Sequence, residues 1–550
     1  MYDYIVVGGG SSGSVVAGEL AADPSVRVLV LEHGDAAERN PETLEAAGYK
    51  KAFINERLMF DRFSQPQPGC AGHVKFMGSG RGMGGSGAIN AMVYTRGSAF
   101  DYESWATSGW RWSDVVPAFE RLEAKLQINR MPPTRFTEAC IAAAERAGFR
   151  RKEDLNDGTL SGFLGYEWMN VQGADRRSSY VAFLKPRLGQ PNLTVLTNAA
   201  VQRLLFDGHR RAVGVEYVHE GQVCTAQARS EIIMCAGALE TPKLLMLSGV
   251  GPADELRAHK IPLVCDAPGV GQNLGDHPNV TVFFRGKQPT DCSWAQLYGF
   301  HRTNHDTALP AGEADTCYVF YSAKSSFKEG VVRMLPGMIL PQAIYRHTRV
   351  PSLLRSLLKG VFSLSPVRSF VERMYGVVVI LGKPKSRGTV RLRSADANDH
   401  PLVDPRYFAD PEDLATLVKG VRRAREVTQA VPLERWGNTE LIPGKRAASD
   451  EKIADFIRKN VMTTFHYTGT CKMGDGADSV VTPQLQLRGV SGVRIADASV
   501  IPVGPVSAMN APSMLIGFRA AELIRADVKD RADRLAQGGK PVAPVEVALR

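Results

Sequence analysis

Apolar and polar positions fall into distinct periods along this chain of 550 residues. Tyr4-Ile5-Val6-Val7 and Val26-Arg27-Val28-Leu29-Val30-Leu31 are short, nearly continuous apolar runs, the pattern of strands buried on both faces. The stretch Ser14 to Ala21 between them predicts a helix. Glu231 to Met234, Thr316 to Tyr321, Val377 to Leu381, Thr389 to Arg393 and Val493 to Ala496 read as further strands. Thr241-Pro242 opens a helix that stops at Ser248-Gly249, with proline in its first turn and glycine past its end, and Pro411 to Gln429 predicts a long helix. Leu353, Leu354, Leu357, Leu358, Val361 and Phe362 recur at helical spacing opposite Ser352, Arg355, Ser356 and Lys359, which predicts a basic amphipathic helix.

Charge makes that last segment stand out. Residues 345–375 carry Arg346, Arg349, Arg355, Lys359, Arg368 and Arg373 against Glu372 alone, half of the chain's net charge of +10. Two readings stay open: a helix packed on its own protein with a solvated basic face, or a lid or peripheral membrane contact through 351–375. Elsewhere the basic residues are dispersed and no nucleic-acid-binding module is visible, so no nucleic-acid partner is expected. Length and a 44% hydrophobic composition suit a two-domain globular enzyme. The eight cysteines form no CxxC pair, and no His, Asp or Cys cluster has metal spacing. With no signal-like segment and no long apolar run, a cytoplasmic setting is expected, either free or peripheral to the membrane's inner face. Alternating charges and two prolines make 528–550 a flexible tail.

The first chemistry lies between the first two strands. Gly8-Gly9-Gly10-Ser11-Ser12-Gly13 follows a strand, opens a helix, and is succeeded by a second strand ending in Glu32. Gly8 permits the tight turn, Gly10 lets backbone N–H groups approach phosphates, and Gly13 lets the helix pack close to the strand. Glu32 is placed to accept hydrogen bonds from a ribose diol. A dinucleotide is therefore expected; NAD and FAD both remain open on this segment alone.

Three further segments narrow the choice. Gly78 to Gly97 holds seven glycines in twenty residues, too many for a regular element, so its main chain must approach something closely or adopt positive φ. Cys235 to Pro252 is another strand, small-residue turn and helix. Near the C-terminus stand Phe465-His466-Tyr467-Thr468-Gly469-Thr470, then Gly492 to Pro502 with Asp497, then Met509-Asn510-Ala511-Pro512. In this order and spacing the segments resemble the glucose-methanol-choline (GMC) family of FAD-dependent oxidoreductases, in particular its bacterial alcohol and choline dehydrogenase branch. Gly269 to His277 and Pro384 to Val390 are similar to further blocks of that family.

The resemblance implies FAD as cofactor and a small-molecule alcohol as substrate, oxidised to aldehyde or ketone. Quinone, a redox carrier or oxygen would be the acceptor, and a non-redox lyase is the alternative activity. It implies His466 as the catalytic base and Asn510 as the amide that orients the substrate oxygen. Gly8, Gly10, Ser11, Ser12, Gly13, Glu32, Met83, Gly85, Asn90, Val93, Val201, Ala236, Asp497 and Ala511 become cofactor-binding positions. His277 is read as a structural hydrogen-bonding residue, and His301, His305 and His347 as surface residues. Some relatives carry a histidine just before Asn90 that bonds covalently to flavin; here it is Ile89, so noncovalent FAD is expected.

The implied fold class combines α/β and α+β. Residues 1–145, 195–285 and 465–527 would assemble a Rossmann-like FAD-binding domain, while 146–194 and 286–464 would form a substrate domain on a mainly antiparallel sheet.

Overall fold

Two sheets organise the chain, and both are assembled from distant segments. The structure, a computed structural model, describes residues 1–341, 344–345 and 349–536. Strand Tyr2–Val7 lies at the centre of the first sheet, parallel to Val28–Leu31 on one side and to the end of Gln222–Met234 on the other. Leu193–Leu196 and Val493–Ile495 extend this parallel core outward. The long strand Gln222–Met234 continues into an antiparallel meander with Ala212–His219 and Ala199–Phe206. Ile5, Val6, Val28 and Ile232 are fully buried, which is why these strands read as continuous apolar runs. This is a Rossmann-like domain built from discontinuous segments.

The second sheet has eight strands, in the order Thr439–Ile442, Pro278–Arg285, Met374–Leu381, Thr316–Ser322, Leu297–His301, Phe163–Tyr166, Arg150–Arg151, with Met462–Thr463 also pairing Pro278–Arg285. Every pair is antiparallel except Arg150–Arg151 with Phe163–Tyr166. Side chains alternate across it: Val377, Val379 and Leu381 join the core under helix Pro411–Gln429, while Val378 and Ile380 join the opposite cluster with Tyr298. Asp410 caps that helix by accepting the Glu412 N–H, and Pro411 occupies its first turn.

Several elements differ from the sequence reading. Thr389–Arg391 stands outside the large sheet, because Leu402–Asp404 and the Gly271–Leu274 loop take its backbone groups. Strand Pro278–Arg285, within the 195–285 segment, pairs in the second sheet. The expected tail is helical for its first part: helix Asn510–Ala536 runs on past 528, anchored where Asp527 accepts from Arg494 at 2.8 Å. Residues 537–550 lie outside the described residues. His301 is half-buried rather than fully exposed; its ring packs 5.2 Å from Phe149, beside Arg423, and desolvation lowers it to about 4. His305 is exposed, and His347 and Arg346 lie outside the described residues.

The amphipathic helix forms as Val350–Ser363, with its faces redistributed. Arg355, expected on the solvated side, is only 6% exposed and pairs with Glu56, Asp61 and the Tyr345 hydroxyl. Leu353, Leu357 and Val361 face solvent instead. An acid pair on the neighbouring 56–61 segment decides this, since a guanidinium can be buried once its charge is matched.

Candidate active site

A cavity of about 540 Å³ runs between the glycine turn and the loop of His466, with walls from both sheets. At one end the backbone is shaped to leave space. Gly8 takes φ +104°, and a Cβ there would lie 2.5 Å from the Cys235 carbonyl oxygen. A Cβ on Gly13 would stand 1.9 Å from the Gly8 oxygen, so helix Ser11–Leu20 sits against the first strand only because that side chain is missing. Gly10 differs: the nearest atom to its Cβ position is Gly85 Cα at 3.9 Å, leaving an open cradle at the helix N-terminus. Gly85 crosses this turn so closely that its own Cβ would meet Gly10 Cα at 2.8 Å.

Glu32 ties this end together. Its carboxylate accepts the N–H groups of Gly9 and Gly34 at 2.8 Å and of Gly82 at 2.9 Å, joining the turn, the second strand's end and the glycine-rich segment. It also lines the cavity, where a carboxylate retains acceptor capacity for a diol. Asp497 does similar work from the C-terminal segment, accepting from the Gly237 N–H at 2.9 Å and from Thr241 Oγ at 2.5 Å while capping the turn Ala498–Val500. Burial raises its carboxyl above the usual range. Arg62 and Lys243 hold the partly buried Glu240 down to about 2 against the upward push of desolvation.

His466 lies at the other end. It follows Phe465, whose φ of +63° turns the chain, and its backbone N–H donates to Asp276 Oδ1 at 2.9 Å. Its Nδ1 lies 2.9 Å from Nδ1 of His277, with the rings edge to face. Burial pushes His466 down to about 3, so the ring is neutral at neutral pH. His277 does not line the cavity, and the nitrogen left to His466 on that side is Nε2. Asn510, the first residue of helix Asn510–Ala536, accepts from Ser11 Oγ at 3.0 Å through Oδ1; its Nδ2 is 3.5 Å from Asn170 Oδ1. Among the described residues no hydrogen bond joins Asn510 to His466.

Of the positions read from the sequence, Gly8, Gly10, Ser11, Ser12, Glu32, Gly85, Asn90, Val93, Val201, Ala236, Asp497, His466 and Asn510 line this one cavity. Gly13, Met83 and Ala511 do not. Gly13 packs helix on strand, Met83 lies beneath Gly9, and Ala511 is buried in its helix. Ile89 also lines the wall.

Sequence reasoning missed Arg176, which is fully buried and grips Asn90 by donating to its Oδ1 at 2.8 Å and its carbonyl at 2.7 Å. Burial lowers this guanidinium to about 9. It belongs to no local motif. His277 was visible as a histidine in a Gly-Asp-His block, but its partner was not. Phe53, Met334, Tyr298 and Phe465 complete an apolar wall, with Lys50 and Glu329 as its charged members. Among the described residues, no group of His, Cys, Asp and Glu side chains is gathered to hold a metal ion.

Known proteins share this architecture. The two sequence profiles of the GMC oxidoreductase family match residues 2–279 and 384–517. The chain is 33% identical to choline oxidase of Arthrobacter globiformis, covering 95% of this chain and 94% of that one. It is also 33% identical to alcohol dehydrogenase [acceptor] of Pseudomonas putida, over 95% and 96% of the two chains. The crystal structure of pyridoxine 4-oxidase from Mesorbium loti superposes with a TM-score of 0.81 at 26% identity, covering 96% and 99%.

Proposed function

The chain belongs to the GMC oxidoreductase family, and from that premise we propose that it oxidises a small-molecule alcohol to an aldehyde or ketone with noncovalently held FAD. The open cradle at Gly10, the helix N-terminus behind it and the cavity-facing carboxylate of Glu32 suit a pyrophosphate followed by a ribose. Gly237, with φ +86° and open space at its Cβ position, and Asp497 line the same wall. Ile89 offers no nucleophile for a covalent link.

When bound, FAD supplies the two-electron acceptor that takes the hydride from the alcohol carbon. The residues of the chain manage the proton. His466, neutral and with Nε2 on the cavity side, accepts the hydroxyl proton as the C–H bond breaks. Asn510, its carbonyl fixed by Ser11, donates from Nδ2 and steadies the oxygen as negative charge develops. Phe53, Met334 and Phe465 exclude water from the reacting carbon. Oxygen, a quinone or another redox carrier would serve as the external acceptor that completes the cycle.

The observation that carries this reading is the placement of His466, with one ring nitrogen fixed by His277, in the cavity that also holds the glycine turn. Anaerobic mixing with a panel of alcohols tests it. The flavin should bleach with wild type, and H466A should keep its flavin and bleach ~10²–10⁴-fold more slowly. Bleaching at an unchanged rate in H466A would refute the base assignment, and flavin released on acid precipitation is the result expected of noncovalent FAD.

A further inference from the structure

Helix Val350–Ser363 divides its apolar residues between two directions. Leu354, Leu358 and Phe362 are partly buried, and Phe362 meets Phe327 edge-on at 6.1 Å. Leu353, Leu357 and Val361 are 69%, 64% and 42% exposed, and at roughly 100° per residue they span only about 80° of arc. Leu364 continues the stripe at the helix end. A soluble surface seldom aligns large aliphatic side chains in this way without a partner for them.

The stripe is held outward by the helix's own anchorage. Arg355 is bound to Glu56, Asp61 and Tyr345, and Arg333 of the adjoining helix Phe327–Ile339 reaches the same Asp61 at 2.5 Å. Helix Phe327–Ile339 gives Glu329, Gly330 and Met334 to the cavity wall, and exposes Met338 and Ile339 at its end. The apolar surface is therefore the outer side of a wall of the cavity. Charge selects the partner: Arg349, Lys359, Arg368 and Arg373 are exposed on this segment, and Glu372 is the only acid between 349 and 375. A second copy meeting this face through a two-fold axis would bring like charges together.

We propose that this surface docks on an anionic lipid bilayer, with the leucines entering the headgroup–acyl boundary and the basic side chains at the lipid phosphates. Docking so places the cavity wall against the membrane, within reach of compounds dissolved in it. It requires neither bound flavin nor turnover.

Co-sedimentation of the full, flavin-loaded chain with phosphatidylglycerol-containing and with pure phosphatidylcholine vesicles tests this. Wild type should bind the anionic vesicles and prefer them. L353S/L357S/V361S should lose more than ~10-fold in partitioning, because aliphatic burial supplies the apolar share of the binding. R349Q/K359Q/R373Q should lose the preference for anionic lipid. Both variants should keep the wild-type melting temperature and the wild-type bleaching rate with a water-soluble alcohol. Absence of vesicle binding by wild type, or unchanged binding by the leucine variant, would overturn the proposal. So would sedimentation velocity showing wild-type self-association, abolished in the leucine variant, without vesicle binding.

Discussion

Nδ1 of His277 lies 2.9 Å from Nδ1 of His466, and only one of these two nitrogens can carry the proton between them. Burial pushes His277 well down, helped by His466, Lys383 and Arg387, and burial alone does the same to His466, so both rings are neutral. When His466 donates and His277 accepts, the proton of His466 sits on Nδ1 and its Nε2 lone pair is free for the cavity. The reverse arrangement puts a hydrogen on Nε2 and removes the base. In the proposed mechanism His277 would be a positioning residue, accepting from Nδ1 of His466 so that Nε2 carries the lone pair.

Loss of that selection should be measurable apart from loss of the base. H277A should slow anaerobic flavin bleaching roughly 10- to 100-fold, less than H466A, and shift the pH dependence of the rate. H277N, whose amide oxygen can still accept from Nδ1, should recover part of the rate. A wild-type rate and pH profile in H277A would show that the contact does not set the tautomer.

Asn510 lines the cavity with its side-chain carbonyl held by Ser11 of the glycine turn, while its Nδ2, 3.5 Å from Asn170 Oδ1, has a second N–H to donate. N510A should therefore weaken FAD binding and slow bleaching together. Titration with FAD, followed by rapid mixing at saturating FAD, separates the effects. A rate defect that persists at saturation is expected; full recovery would confine Asn510 to holding the cofactor.

These two contacts mark what the sequence could convey. The glycine turn, the strands around it and the helix over 411–429 were legible because each is a local period or a local spacing. Contacts such as Ser11 with Asn510, 499 residues apart, follow from no local period. Arg176 was illegible for the same reason: a lone arginine outside any motif becomes buried only because the fold brings Asn90 to it. Arg355 shows the limit of helical periodicity, which identified the helix but not its buried side; Glu56 and Asp61 decide that from almost 300 residues away.

Two glycines of one motif should fail in different ways. G13A forces a Cβ to within 1.9 Å of the Gly8 oxygen, so the helix must move off the strand, at a cost of roughly 2 kcal/mol or more and a clear fall in melting temperature. G10A meets nothing closer than 3.9 Å, and Gly10 has φ −73°, which alanine adopts freely. It should melt like the wild-type apoprotein yet bind FAD more weakly, because its methyl group occupies the cradle. Calorimetry of the apoproteins with FAD titration checks both; equal melting temperatures for G13A and wild type would contradict the packing role.

The buried histidine pair also fixes a sign for stability against pH. An imidazole in the unfolded chain titrates near 6.5, whereas burial holds His466 at about 3 and His277 well below its usual value. Between those limits the unfolded chain binds more protons than the fold, so this contribution is complete above about pH 6.5 and is lost as pH falls. At pH 5 the His466 ring costs up to about 2 kcal/mol, and His277 adds to it in the same direction. Buried Asp276 and Asp497 work the other way: their raised carboxyls take up protons before unfolded ones do, adding stability as pH falls through their native values. Comparing variants cancels this background. The urea midpoint of wild type should drop between pH 7.5 and pH 5, and H466Q, measured at the same excess of FAD, should drop less. Parallel declines would show that His466 is not held neutral by the fold.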